Sequence, residues 1–88
     1  MFAVICTDKP GSLDIRKANR DKHLAYLAET KAVQAGPFLD AAGDMCGSLV
    51  ILDLPNRAEA EAWAENDPYA KAGLFLKVRI EEWKKVIG

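Results

Sequence analysis

The sequence lacks most of the features that would announce a function directly. Only two cysteines are present, Cys6 and Cys46, and no CxxC pairs them. That excludes the usual zinc-ligand spacings, and a chain without a secretion signal gives no reason to expect a disulfide framework. Both thiols are read as small buried hydrophobes in strands. Charge of one sign is also missing: 12 Lys and Arg face 13 Asp and Glu, for a net charge of -1. A nucleic-acid binder relying on a basic surface is thereby disfavoured, as is a binder of anionic membranes. No apolar run approaches the roughly 20 residues needed to span a bilayer. The opening "MFAVICTDKPG" has a short apolar run, with no basic region before it and no cleavage site after it, so the expected location is the cytoplasm. There is no internal repeat, linker or low-complexity segment. Histidine occurs once, at His23.

What is present suits a small packed domain. Half of the 88 residues are hydrophobic, and residues 1–88 are read as one domain. "MFAVICT" predicts a strand at about 2 to 7, ended by the turn signal "DKPGS". Ser12 or Asp14 then caps a helix from about 13 to 31, with Leu13, Leu24, Leu27 and Ala28 near its apolar side. "AVQAGPFLD" reads as a short second strand broken by Gly36 and Pro37, and proline places it at an edge, a bulge or a strand end. "AAGDMCG" reads as a loop, and "SLVILDL", 48 to 54, as a strong third strand. Asn56 caps a second helix that packs through Ala58, Ala62 and Trp63. At "NDPY" the helix restarts: Asp67 caps, Pro68 takes the first helical position, and Gly73 stops it. A final strand sets Leu76, Val78 and Ile80 on one face and Lys77, Arg79 and Glu81 on the other.

The order βαββαβ is the ferredoxin-like arrangement of the α+β class, a four-stranded antiparallel sheet with helices on one face. Strands one and three are apolar on both faces: Phe2, Val4 and Cys6 against Ala3 and Ile5, then Leu49 and Ile51 against Val50 and Leu52. Two helices cover only one face, so the other needs a second cover. A homodimer packed sheet against sheet is expected, with Trp83 and the tail "KKVIG" reaching across. The topology alone does not select a function. An RNA-recognition module needs aromatic residues on its central strands, and "CGSLVILDL" has none. A metal chaperone needs CxxC where this chain has "CTDKPGS", and an acylphosphatase needs an arginine-bearing phosphate cradle that "DKPGS" does not supply. A ligand-sensing regulatory domain stays open.

His23 lies within "ANRDKHLAYL". At 100° per residue, Arg16 sits roughly 20° from it, Leu27 and Asn19 roughly 40°, and Arg20 roughly 60°. Leu13, Leu24 and Ala28 centre roughly 100° round the helix. His23 is therefore expected at the border of the apolar stripe, where a helix meets a cleft or a core edge. Spacing alone makes it an ordinary half-buried polar residue.

Several landmarks occur together: "FAVICTDKPGS"; Arg16, Arg20, His23 and Leu24 in an R…R…HL spacing; "AGP" at Ala35 to Pro37; "GSLVI" at Gly47 to Ile51; "AEAWAENDPYAKAGLF"; and the closing "KKV". In these the chain resembles, over essentially its whole length, the YciI-like (YCII-related) family, small proteins of the dimeric α/β barrel type. The segment between "AGP" and "GSL" is short here. The resemblance implies a dimer with a cleft holding a histidine and an aspartate. Activities in the family are mostly unassigned, although one characterised member eliminates chloride from a chlorinated aromatic ring. Carried to this sequence, the histidine is His23 and the first choice of aspartate is Asp67, with Ser48 and Tyr69 lining the pocket. Capping alone also accounts for Asp67, and Asp8 or Asp40 is an alternative partner. Arg16 and Arg20 are candidates to hold an anionic substrate, and Gly36 and Pro37 to shape the backbone beside it. The reading is a small-molecule enzyme using His23 as general base, for elimination, dehydrochlorination or isomerisation, with no metal and no organic cofactor. The alternative is a non-catalytic ligand-binding or regulatory dimer using the same cleft. A third is an accessory protein given meaning by its partner.

Overall fold

A computed structural model describes residues Met1–Gly88. Seven elements follow in order: β1 (Phe2–Asp8), α1 (Leu13–Glu29), β2 (Ala32–Leu39), β3 (Met45–Leu52), α2 (Arg57–Asn66), α3 (Pro68–Lys71) and β4 (Phe75–Glu82). The strands form one antiparallel sheet in the order β2-β3-β1-β4. This is the ferredoxin-like α+β architecture, with the two longest strand-to-strand connections made through helices.

Register sorts the side chains onto two faces. Phe2, Val4 and Cys6 of β1 lie opposite Leu52, Val50 and Ser48 of β3. Apart from Ser48, these residues build the core cluster, closed from above by Ala60 and Trp63 of α2 and by the half-buried Tyr26 and Leu27 of α1. The other face carries Ala3 and Ile5 opposite Ile51 and Leu49, continued by Lys77, Arg79 and Glu81 of β4. No helix lies over it. No helix of the chain is long and apolar enough to cross a membrane.

The caps explain where the short helices begin. The Asn56 side chain accepts the backbone N–H of Glu59, and that of Asp67 accepts the N–H of Tyr69. Pro68 occupies the first turn of α3, where its missing N–H costs nothing. Gly73 follows at φ +74°, in the left-handed region that glycine enters freely. At α1 the result differs. Ser12 stands at the cap position, yet neither it nor Asp14 makes a side-chain cap bond.

Several expectations from sequence need correction. β2 is not broken at Gly36-Pro37. It pairs along its length with β3, with irregularities at its two ends. Pro37 is tolerated because β2 is an edge strand, where a missing N–H need not interrupt the sheet. β3 starts at Met45, ahead of the expected Ser48, because the turn is tighter than its composition implied. One Asp40 carboxylate oxygen accepts the N–H groups of Ala42 and Asp44 and closes it. Cys46 therefore lies on β3 but near a strand end, half-buried rather than buried, while Cys6 is buried as expected. On β4, Val78 and Ile80 face the helices, but Leu76 is 64% exposed. The β1–β4 register shifts between Thr7 and Asp8 and passes over Leu76, so Phe75 packs against the core instead. On α2 the inward residues are Ala60 and Trp63, and Ala58 and Ala62 are exposed.

The largest correction concerns α1. Its buried residues are Arg16 and His23, whereas Leu24 is 45% exposed and Ala28 lies on the outside. The helix docks through the stripe that looks polar in the sequence. Buried polar groups are stable only when partnered, and the sheet and α3 supply the partners described next.

Candidate active site

A polar network fills the space between α1, α3 and the strand ends. Arg16 projects from the first turns of α1 and is 2% exposed. Its Nε and Nη2 donate to the two Asp8 carboxylate oxygens at 2.7 and 2.8 Å. This is the bidentate geometry that matches a planar guanidinium to a carboxylate. Nη2 also donates to Ser48 Oγ at 2.8 Å. Burial alone would weaken the guanidinium's hold on its proton, but the hydrogen bond and charge of Asp8 raise its pKa overall.

Two turns on, His23 Nδ1 lies 2.7 Å from Asp67 Oδ1. That oxygen also accepts the N–H of Tyr69 at 3.0 Å. A carboxylate oxygen only accepts, so the proton of this contact is assigned to Nδ1, leaving Nε2 with its lone pair when the ring is neutral. Nε2 has no protein partner, yet no buried side-chain nitrogen or oxygen in the chain is both sealed and unpaired. Nε2 is therefore not sealed, and His23 is one of the residues that line the cavity described below. The imidazole stacks on the Tyr69 ring at 4.0 Å between centroids and 16° between planes, and Arg16 Cζ lies 4.6 Å from the same ring's centroid. Tyr69 keeps its phenolic proton: burial raises its pKa, and the charge and hydrogen bonding of Arg16 only partly oppose this.

These groups line a cavity of about 180 Å³ between α1 and the β2–β3 strands. Its walls include Arg16, Arg20, His23, Ser48 and Tyr69, with Gly36 and Pro37 on the β2 side. The space exists because β2 turns only Ala35 and Pro37 towards α1 at this level, opposite Val50 and Ser48. A cavity of this order holds one small ring. A more open cleft of about 530 Å³ lies between the end of α1 and α2. It offers less chemistry, since its polar groups satisfy each other. Tyr26 Oη donates to the Trp63 carbonyl, Trp63 Nε1 to Thr30 Oγ1, and Thr30 Oγ1 to the Tyr26 carbonyl.

The residues singled out from sequence are thus brought together, with Asp67 set behind His23 rather than on the cavity wall. Asp8 and Asp40 do not reach the histidine: Asp8 belongs to Arg16, and Asp40 to its own turn. Arg20 is exposed at the cavity edge and has no ion-pair partner. Sequence reasoning missed the Asp8–Arg16 pairing and the His23–Tyr69 stacking. The first was discernible only as a carboxylate at a strand end eight residues before an arginine. The second joins residues far apart in the chain and left no local signal. Cys6 lies behind this network, and burial above all, then the charge of Asp67, pushes its pKa up to about 12. It is a thiol at neutral pH and no nucleophile. No group of three or more His, Cys, Asp or Glu side chains is placed to hold a metal ion.

Comparison with known proteins adds an independent line. The YCII-related domain model matches residues 1–84. An uncharacterised protein of Haemophilus influenzae is 35% identical over 95 residues, covering 97% of each chain. Protein YciI of Escherichia coli is 34% identical over 96 residues, covering 98% of each. Among solved structures, the 5-chloro-2-hydroxyhydroquinone dehydrochlorinase TftG of Burkholderia phenoliruptrix, in complex with 2,5-dihydroxybenzoquinone, superposes with a TM-score of 0.87. It is 40% identical, and the match covers 96% of this chain and 94% of that one. An antibiotic biosynthesis monooxygenase aligns over 99% of this chain at 18% identity and a TM-score of 0.57, a likeness of fold alone.

Proposed function

This chain belongs to the YCII-related domain family, and we propose that it is a small-molecule enzyme using a His23–Asp67 pair for acid–base chemistry on a small oxygenated, aromatic or anionic substrate. The observation that carries the reading is the arrangement of the pair. Asp67 holds Nδ1–H, and Nε2 opens into a cavity sized for one ring. That is the geometry of an oriented general base. Nε2 takes a proton from the substrate; in elimination the electron pair released expels the leaving group, and in isomerisation it shifts a double bond and the imidazolium returns the proton at another carbon. Elimination of chloride, as in the name of the similar dehydrochlorinase, and isomerisation both fit this step. None of it needs a metal or an organic cofactor. Arg20, without a partner at the rim, supplies positive charge for an anionic substrate. The bidentate bonds to Asp8 leave Arg16 a smaller share in that task.

The protein is proposed to act as a homodimer closed through the helix-free face, where Ile5, Leu49 and Phe38 are only partly covered. The two free thiols fit a reducing, cytoplasmic setting.

The test is turnover of 5-chloro-2-hydroxyhydroquinone and related small phenols and carboxylates, read as chloride release or spectral change. Wild type is expected to turn over at least one of them, and His23→Ala to lose about 10²- to 10⁴-fold, the usual share of a positioned acid–base group. Tight binding without turnover, unchanged in His23→Ala, would instead make this a ligand-binding protein.

A further inference from the structure

The direction of one hydrogen bond at the site defines what the substrate must present. Ser48 Oγ accepts from Arg16 Nη2, and the two hydrogens of Nη2 are then both used, one on Asp8 and one on Ser48. The guanidinium has no lone pair to offer in return, so the Ser48 hydroxyl proton must point elsewhere. No protein acceptor receives it. Ser48 is 3% exposed, and the open space its side chain borders is the cavity that His23 also lines. The Asp8–Arg16 pair is stiff, being bidentate and buried on both sides, so the hydroxyl is held in place before any ligand arrives.

We propose that Ser48 donates the hydrogen bond that holds a ring oxygen of the substrate, with Arg16 as the positioning residue that aims and polarises the hydroxyl. The substrate class is then a phenol, enol or quinone whose oxygen carries or gains negative charge. A hydroxyl already accepting from a cation is a stronger donor, and a donor fixed in a water-poor cavity stabilises developing negative charge more than the same donor in water. The inference rests on the proposed function for the location of the substrate, and its test separates the two.

The probes are 2,5-dihydroxybenzoquinone and a set of substituted phenols of graded acidity, with dissociation constants measured for the full-length protein. Ser48→Ala is expected to weaken 2,5-dihydroxybenzoquinone about 10- to 100-fold, the range for one hydrogen bond to a charged partner. It is also expected to flatten the dependence of affinity on phenol acidity, a slope that a merely structural role would not change. Ser48→Thr, which keeps the hydroxyl, should bind within about tenfold of wild type and retain the slope. If wild type shows the Ser48-dependent slope but no turnover of any compound, this inference stands and the enzymatic reading falls. Binding in Ser48→Ala within twofold of wild type, an unchanged slope, or wild type that binds none of the probes would overturn it.

Discussion

At the scale of the residue, Asp67 carries two roles on one oxygen. It caps α3 through the Tyr69 N–H and holds His23 through Nδ1. Either role alone would explain an aspartate there, and the sequence could not separate them. Substitution can. An asparagine side chain at this position would retain a carbonyl oxygen able to accept both N–H groups, so Asp67→Asn should cost less than about 1 kcal/mol of stability. It removes the carboxylate charge that stabilises an imidazolium formed by proton uptake, so turnover should fall by about 10²- to 10⁴-fold. Asp67→Ala should lose comparable activity and, in addition, about 1 kcal/mol for the cap and about 1–3 kcal/mol for the stranded Nδ1–H. Chemical denaturation alongside kinetics checks both variants. Equal loss of stability in the two would refute this division of roles.

At the scale of the element, the sheet must close tightly at β3 for the site to exist. Gly47 lies opposite Thr7, and a Cβ there would run into the Cys6 carbonyl oxygen and come within 3.2 Å of the Phe38 ring. The obstacle is backbone, which cannot swing aside as a side chain can. Gly47→Ala should therefore destabilise the protein by about 1–3 kcal/mol, measured as a lower midpoint in urea. Because Ser48 follows directly, ligand affinity should fall with it. α1 teaches the complementary lesson. Its place in the chain was legible from composition and spacing, but its docking side was not. Leu13, Leu24, Leu27 and Ala28 form the apolar stripe by count; Leu27 does pack against the core, yet Arg16 and His23 are the residues buried. Periodicity ranks side chains by their own hydrophobicity. It cannot register that Asp8, Ser48 and Asp67, from three other elements, make a buried arginine and histidine tolerable. On α2 the error was smaller and of a different kind: alanine is so neutral that a choice between Ala58, Ala60 and Ala62 rests on about half a turn of phase.

At the scale of the whole molecule, helices roof one side of the sheet and none covers the other. The helix-free side is apolar across β1 and β3, where Ile5 and Leu49 are half-buried, and charged along β4, where Arg79 and Glu81 form an exposed pair. If a second copy covers it, Leu49→Glu, at the middle of that face opposite Ile5, should convert a dimer into a monomer in sedimentation at micromolar concentration. The helix-side core is untouched, so the variant should stay folded. A wild-type monomer under these conditions would sink the proposed pairing. By itself the sequence determined the order of the elements, the caps at Asn56 and Asp67, the two-sided apolar character of the central strands and the family. All of these are written in local spacing, in turn residues and in runs of side chains that read the same wherever the chain goes. Only the tertiary structure decided which carboxylate meets which base. Asp8 takes Arg16 and Asp67 takes His23 because the ends of β1 and α2 converge on one side of α1, and contacts between residues 8 and 44 positions apart are fixed by packing that no local pattern encodes.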